Sequence, residues 1–195
     1  MRLGVLGGSF DPPHVGHLLA ASDAFEALAL DRLLFVPAAT SPFKQGVTAT
    51  PPADRLAMVR LLVRGDPRFA VDPMEIEREG LSYTVDTLAA LAVRYPDAER
   101  FLLVGEDVVE SFAGWREPDR IVQLARLVVL RRARGPEGSP AAVMPGAVQL
   151  ETRRVDVSST EIRARVRAGR SLRGFVPDEI AGYIEEARLY RQRNT

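Results

Sequence analysis

The chain has 195 residues, 46% hydrophobic and 27% charged, which is typical of a globular protein with one domain. Lysine and arginine together number 26 and so do aspartate and glutamate, so the formal net charge is zero. This balance argues against binding to nucleic acid or a membrane surface through bulk charge. The absence of cysteine excludes a disulfide scaffold, a thiol nucleophile and a cysteine zinc site. No apolar run approaches the roughly 18 residues of a membrane span, and the N-terminus does not resemble a signal peptide, so we expect a cytoplasmic protein.

Short apolar runs alternate with helical patterns over the first 150 residues. Five runs are almost continuously apolar, as strands buried on both faces of a parallel sheet should be, namely residues 3–6, 33–36, 69–71, 101–104 and 127–130. Between them, apolar residues recur with the helical period, as at Leu18, Ala21 and Phe25. This order predicts an α/β fold, an open, doubly wound and mostly parallel sheet with helices on both sides. A ligand of such a sheet is expected beyond the carboxyl ends of the strands, at a topological switch point.

The last third of the chain has a different character. Residues 135–146 contain three prolines and three glycines and are predicted to form a loop. One helix is predicted to begin after Val157, and a second is predicted with Pro177 at its first position, where the missing N–H has no cost. We interpret the whole chain, 1–195, as one domain. It comprises an α/β core of about residues 1–150 and a C-terminal helical part of about 151–195.

The first predicted strand ends at Gly7-Gly8, and the pattern His14-x-Gly-His17 follows at the start of the first predicted helix. The dinucleotide-binding G-x-G-x-x-G and the P-loop pattern are both missing, which disfavours a dehydrogenase. The chain has only these two histidines, three residues apart at a helix start, where free N–H groups favour an anion. A simple turn capped by histidines, or a metal pair lacking the third ligand of a catalytic zinc site, are the alternatives. We expect the two imidazoles to reach one bound phosphate.

A second group of polar residues precedes the penultimate helix. Ser158 and Glu161 have the spacing of a capping box, which is the purely structural interpretation. That interpretation leaves Ser159, Thr160 and Arg163 unexplained. Hydroxyl groups and N–H groups at a helix start, with an arginine one turn later, are suited to binding phosphate.

These two segments resemble the H-x-G-H and S-[ST]-T-x-I-R motifs of the nucleotidylyltransferase superfamily. The resemblance implies transfer of a nucleotidyl group from a nucleoside triphosphate with release of pyrophosphate, and a Mg²⁺ ion bound mainly by the substrate phosphates. It implies that His14, His17 and Arg163 are catalytic. The ATP-binding residues that it implies are Gly7, Gly8, Ser9, Phe10, His17, Gly105, Asp107, Ser158, Ser159, Thr160 and Arg163.

The remaining motifs resemble one branch, the bacterial nicotinate-nucleotide adenylyltransferases. Residues 82–88 match the S-Y-T-x-x-T-L pattern of that branch, and Gly105-Glu106-Asp107 matches its G-x-D. The resemblance implies that N–H groups of Tyr83 and Thr84 receive the pyridine carboxylate and that Trp115 stacks on the pyridine ring. Ser82 is a predicted N-cap. The nicotinate-nucleotide site implied in this way contains Lys44, Ser82, Tyr83, Thr84, Trp115 and Arg132.

Two positions depart from the pattern of that branch. Phe43 precedes the only lysine, Lys44, where the family often has histidine, and no proline follows Arg132. The resemblance implies that ATP and nicotinate mononucleotide react to give deamido-NAD and pyrophosphate. It implies small-molecule substrates, no nucleic acid and no membrane, and it leaves room for a homo-oligomer. The alternatives are a phosphopantetheine or nicotinamide mononucleotide acceptor, and a nucleotide-sensing module without catalysis.

Overall fold

The structure is a computed structural model that describes residues 1–40, 50–132 and 146–191, without the side chain of Arg132. Within these residues six strands form one sheet in the order β3-β2-β1-β4-β5-β6, and each neighbouring pair is parallel. The strands are β1 Arg2–Gly8, β2 Arg32–Pro37, β3 Phe69–Val71, β4 Glu99–Gly105, β5 Arg126–Arg132 and β6 Val148–Thr152. The prediction of a doubly wound parallel sheet is therefore confirmed.

Helices cover both faces of this sheet. They are α1 Val15–Ala27, α2 Pro52–Val63, α3 Met74–Arg78, α4 Thr84–Arg94, α5 Pro118–Leu124, α6 Ser159–Arg167 and α7 Asp178–Glu186, with 3-10 turns at Glu106–Val108 and Phe112–Gly114. Because side chains alternate along a strand, Phe101 and Leu103 of β4 pack into one core, which includes residues of α1, α2, α6 and α7. Leu102 and Val104 pack into the other, with residues of α4 and α5. None of the helices in the described ranges is long and apolar enough to cross a membrane.

The sequence patterns missed three elements and displaced one boundary. Strand β6 was not predicted, because its residues alternate between apolar and polar instead of forming an apolar run. Helices α3 and α5 have only five and seven residues, too few for a helical period to emerge. Helix α7 begins at Asp178, so Pro177 is its N-cap and not its first residue. The predicted loop at 135–146 lies outside the described residues except for Gly146.

The strand order locates the switch point between β1 and β4. These two strands are neighbours, but the chain proceeds from β1 to β2 on one side and from β4 to β5 on the other. Loops leaving two such strands diverge to opposite faces and leave a crevice at their carboxyl ends. Strand β1 ends in Gly7-Gly8 and β4 ends in Gly105, so these glycines lie at this crevice.

Candidate active site

A cavity of about 380 Å³ lies at the switch point. Its walls come from the ends of β1 and β4, from the start of α4 and from the segment containing Trp115. Eight of the residues predicted to bind substrates line it, namely Gly7, Gly8, Ser9, Ser82, Thr84, Gly105, Asp107 and Trp115. Residues more than 100 positions apart in sequence thus meet around one space, as the strand order requires.

The two histidines stack on each other at the start of α1. His14 is the N-cap, and its backbone N–H donates to Nδ1 of His17 over 3.2 Å, while the ring centroids are 3.8 Å apart. Because Nδ1 of His17 accepts, a neutral His17 ring carries its proton on Nε2, which is then a donor. Gly16 leaves little room for a side chain between them, since a Cβ there would lie 3.0 Å from Nδ1 of His14. The local fold therefore fixes both the pairing and the tautomer.

The second motif contacts the loop that precedes the histidines. Ser158 caps α6 by accepting the N–H of Glu161. The hydroxyl of Ser159 donates to the carbonyl of Pro12 over 2.8 Å. Arg163 donates to the carbonyl of Asp11 over 2.7 Å and to the Thr160 hydroxyl over 3.2 Å. The structure thus brings the two motifs together across separations of 147 and 152 residues.

The start of α4 forms one wall of the larger cavity. Tyr83, and not Ser82, is the N-cap, because the Ser82 hydroxyl instead accepts the N–H of Ala39 over 2.9 Å. This bond fastens the start of α4 to the segment that follows β2. N–H groups in the first turn of a helix have no partner within the helix, so they favour a carboxylate there. A second cavity of about 260 Å³ is shared by Tyr83, Thr84 and Trp115.

Two charged residues around these cavities had not been predicted as site residues. Glu75 lines the larger cavity, is 7% exposed, and accepts the Thr87 hydroxyl over 2.6 Å. Arg116 lines the smaller cavity, and its guanidinium lies 4.7 Å from the centroid of the Tyr83 ring. Glu75 and Arg116 belong to segments with many charges, so nothing in the sequence distinguished them from solvated surface residues.

The third residue missed by the sequence reasoning is Arg55 of α2. It is 2% exposed, and its guanidinium donates to the carbonyls of Ser9, Ala38, Ala39 and Thr50 at 2.6–3.0 Å. Burial lowers the pKa of this guanidinium, while the nearby carboxylate of Asp11 opposes the shift. Arg55 therefore joins the loop after β1 to the segments after β2 and before α2.

The remaining predicted residues are placed differently. The Phe10 side chain is 3% exposed and packs against the rings of His17 and Phe35, so its ring belongs to the core. Lys44 lies outside the described residues, and Arg132 ends β5 with its side chain undescribed. His14, His17 and Arg163 do not line the cavity and join it through the 9–13 loop. In the described ranges no three His, Asp or Glu residues group closely enough to hold a metal ion.

The chain is similar in sequence to proteins of one family. The model of the Cytidylyltransferase-like family matches residues 5–165. The chain is 54% identical to the "Probable nicotinate-nucleotide adenylyltransferase" of Gemmatimonas aurantiaca over 98% of this chain and 93% of that protein. It is 46% identical to the protein of the same name from Thermus thermophilus, over 98% of this chain and all of that protein.

Solved structures support the same fold. The Plasmodium falciparum nicotinic acid mononucleotide adenylyltransferase complexed with NaAD superimposes with a TM-score of 0.76 at 16% identity, covering 97% of each chain. A Vibrio parahaemolyticus structure described as a putative nicotinate-nucleotide adenylyltransferase gives a TM-score of 0.72 at 16% identity, covering 99% of this chain and 98% of that one. With the identities above, these findings establish that the chain belongs to the nicotinate-nucleotide adenylyltransferase family, within the cytidylyltransferase-like proteins.

Proposed function

We propose that this chain transfers the adenylyl group of ATP to nicotinate mononucleotide, forming deamido-NAD and pyrophosphate. A phosphate oxygen of the mononucleotide attacks the α-phosphorus of ATP, the new P–O–P bond forms, and the bond to the pyrophosphate oxygen breaks. A phosphate monoester has a second pKa of about 6 and is already nucleophilic at neutral pH. The reaction therefore requires no covalent intermediate with the enzyme, and catalysis comes from positioning and charge stabilisation.

One observation carries this proposal beyond family membership. Ser159 and Arg163 are hydrogen-bonded to the carbonyls of Pro12 and Asp11. The loop that leads to the stacked histidines is therefore also bonded to the start of α6. Imidazoles, hydroxyl groups, a guanidinium and two helix starts form a set of donors that suits phosphate oxygens. A triphosphate bound between the two motifs meets donors from both sides.

Within this proposal the phosphate-binding residues have distinct roles. The Nε2–H of His17 and the ring of His14 donate to the triphosphate and stabilise charge as pyrophosphate departs. Arg163 uses two N–H groups in the bonds described, and a guanidinium has five, so donors are left for the β- and γ-phosphates. Ser158, Ser159 and Thr160 place the start of α6 against the same phosphates.

The acceptor occupies the cavity between β1, β4 and α4. Its pyridine ring stacks on Trp115, and its carboxylate meets the N–H groups at the start of α4, whose positive end favours a carboxylate over a neutral amide. Gly105 and Asp107 border the adenosine side of the same cavity. Lys44 and Arg132 are proposed to bind phosphate, on the basis of the resemblance alone.

Mg²⁺ is proposed to enter with ATP and to remain bound mainly by phosphate oxygens and water, as this ion commonly is. The donor set of the two motifs fits this arrangement, because imidazole, hydroxyl and guanidinium groups bind the phosphates and leave oxygens for the ion. The ion neutralises phosphate charge when bound. We also propose a cytoplasmic location, because ATP is a substrate of the reaction.

The test is pyrophosphate release from ATP and Mg²⁺ with nicotinate mononucleotide, nicotinamide mononucleotide or phosphopantetheine supplied separately. Strong preference for the first supports both the reaction and the carboxylate site at α4. Preference for the nicotinamide form contradicts that site but keeps the chemistry, and preference for phosphopantetheine contradicts the acceptor. Absence of turnover with all three favours a nucleotide-sensing module.

His17→Asn provides the corresponding test of the histidine pair. The Asn side-chain oxygen can still accept the backbone N–H of His14, so the helix start is preserved while the imidazole donor is lost. Because removing one transition-state donor costs about a hundredfold to a thousandfold in turnover, we expect a fall of that order in kcat. Circular dichroism and thermal unfolding check that the fold survives, and near-normal turnover would exclude a catalytic role for His17.

A further inference from the structure

The chain ends its described part with a contact to the loop before the histidines. Tyr190 follows α7 and donates its hydroxyl to Oδ1 of Asp11 over 2.6 Å, across 179 residues of sequence. The residue has a positive φ of 62°. Its ring is half-buried. Burial and this hydrogen bond both raise the pKa of the Tyr190 phenol, so it stays protonated and remains a donor.

Asp11 is well placed to transmit this contact. Its second carboxylate oxygen accepts the backbone N–H of Thr50 over 3.4 Å, and its own carbonyl accepts Arg163 over 2.7 Å. Three residues later the chain reaches His14, the cap of α1. One residue of the loop is thus bonded through its side chain to Tyr190 and through its backbone to a proposed phosphate-binding residue.

We propose that Tyr190 is a positioning residue for adenylyl transfer, which acts through Asp11 on the loop that places His14, His17 and Arg163. This inference rests on the function proposed above. Tyr190 itself has no role in binding the phosphates. Its hydroxyl fixes the carboxylate, and the carboxylate fixes the orientation of the peptide whose carbonyl receives Arg163. Without this bond the loop retains its contacts to Arg163 and Ser159 but loses the one that comes from the end of the chain.

Tyr183 supplies a matched comparison within the same segment. Its hydroxyl donates to Oδ1 of Asp54 over 2.7 Å, a bond of the same chemistry and nearly the same length. Both phenols have raised pKa values, with the hydrogen bond to Asp54 the main cause for Tyr183 and burial the main cause for Tyr190. Asp54 lies in the first turn of α2 and not in the 9–13 loop. A general role in attaching the C-terminal segment predicts equal effects for the two tyrosines, whereas a positioning role predicts different ones.

The experiment compares full-length Tyr190→Phe and Tyr183→Phe enzymes with the unaltered chain. We expect kcat to fall about tenfold in Tyr190→Phe, less than the roughly hundredfold cost of a 1 Å misplacement, because Arg163 and Ser159 still hold the loop. The KM for nicotinate mononucleotide should stay within twofold, since the acceptor cavity is elsewhere. Tyr183→Phe should keep its kcat while its thermal midpoint shifts as much as that of Tyr190→Phe. Equal kcat values for the two variants, or an unchanged kcat in Tyr190→Phe, would overturn the proposal.

If Tyr190→Phe does not fold, two Asp11 variants test the positioning role of Tyr190 instead. Asp11→Asn keeps an acceptor for the Tyr190 hydroxyl and should retain most of kcat, whereas Asp11→Ala removes it and should lose at least tenfold. Equal kcat values for these two variants contradict the inference. Failure of the proposed function would be recognised separately, since the unaltered chain would then show no pyrophosphate release with nicotinate mononucleotide.

Discussion

Replacing Arg55 by methionine tests whether one buried guanidinium organises the loops around the active site. The side chain is 2% exposed and donates to four carbonyl oxygens in three separate segments. Methionine fills a similar volume but donates nothing, so the four carbonyls lose their partner. A buried acceptor left without a partner costs about 1–3 kcal/mol. The four residues that supply these carbonyls are themselves half-buried, so water can replace part of the loss and about 1 kcal/mol for each carbonyl is appropriate.

The free energy of unfolding of Arg55→Met is therefore expected to be lower by about 3–4 kcal/mol. This value allows for the cost of burying the guanidinium, which the variant does not bear. This is a large share of the total stability of a domain, which is about 5–15 kcal/mol. Urea unfolding followed by circular dichroism measures it. With a slope of about 2 kcal/mol per molar urea, the midpoint should fall by about 1.5–2 M.

Arg60→Met is the matched control, since Arg60 is an exposed arginine on the same helix. Exposed substitutions of this kind usually change stability by no more than about 0.5 kcal/mol. Arg55→Lys should recover part of the loss, because an ammonium group retains the charge and three donors but not the planar geometry. A loss below about 1 kcal/mol in Arg55→Met, or an equal loss in Arg60→Met, would refute the reasoning that rests on the four bonds.

Three further outcomes follow from the geometry. Trp115→Ala should raise the KM for nicotinate mononucleotide about tenfold, because stacking on a ring contributes about 1–3 kcal/mol, and initial-rate kinetics measure it. Gly16→Ala should lower kcat severalfold, because a Cβ 3.0 Å from Nδ1 of His14 displaces that ring by a few tenths of an ångström from its place beside His17. Tyr183 and Tyr190 should form phenolate only above the ordinary phenol pKa of about 10, which ultraviolet absorbance during alkaline titration detects. Since their folded-state pKa values are raised, the stability they contribute is present below pH 10 and is lost as the pH rises beyond it.

Each of these outcomes has a control. Trp115→Phe keeps an aromatic face and should restore most of the affinity, and a KM for ATP that rises as much as that for the acceptor would contradict stacking on the pyridine. Gly182→Ala alters a helical glycine of α7 with open space around it and should leave kcat unchanged. Removal of both phenols by substitution with phenylalanine should flatten the alkaline decline in the free energy of unfolding. An unaltered decline would show that other groups cause it.

The sequence predicted those parts of the fold in which apolar residues form a run or recur with the helical period, because both patterns follow from burial. Strands β1, β2, β4 and β5 have mostly buried side chains on both faces, so they appear as apolar runs. The edge strand β6 is exposed on part of its surface, and its sequence VQLET alternates instead. The two phosphate motifs were visible because helix starts need particular side chains at fixed spacing. Their meeting then follows from the strand order and from the connection of α6 to the sheet.

The contacts that sequence did not predict join single side chains to atoms far away in the chain, most of them backbone carbonyls. Arg55 and Ser9 are separated by 46 residues, and Tyr190 and Asp11 by 179. A carbonyl oxygen is available at every residue, so a donor to one leaves no pattern in the sequence. Ser82 illustrates the same limit, because a serine before a helix predicts a cap, yet its hydroxyl accepts the N–H of Ala39, 43 residues earlier in the chain. Only the tertiary fold decides which of these acceptors a side chain meets.

The composition of the 9–13 loop explains why arginine and serine donors surround it. Pro12 and Pro13 have no N–H group, so this segment supplies carbonyl acceptors in excess over donors. Carbonyls in a buried loop need partners, and here they receive them from side chains, with Ser9 bonded to Arg55 and Pro12 to Ser159. Arg163 bonds to the loop in the same way, so its guanidinium is oriented before any anion arrives. The two prolines therefore act twice: their rings stiffen the loop, and their missing N–H groups leave carbonyl acceptors that preorganise the cation proposed to meet the phosphates.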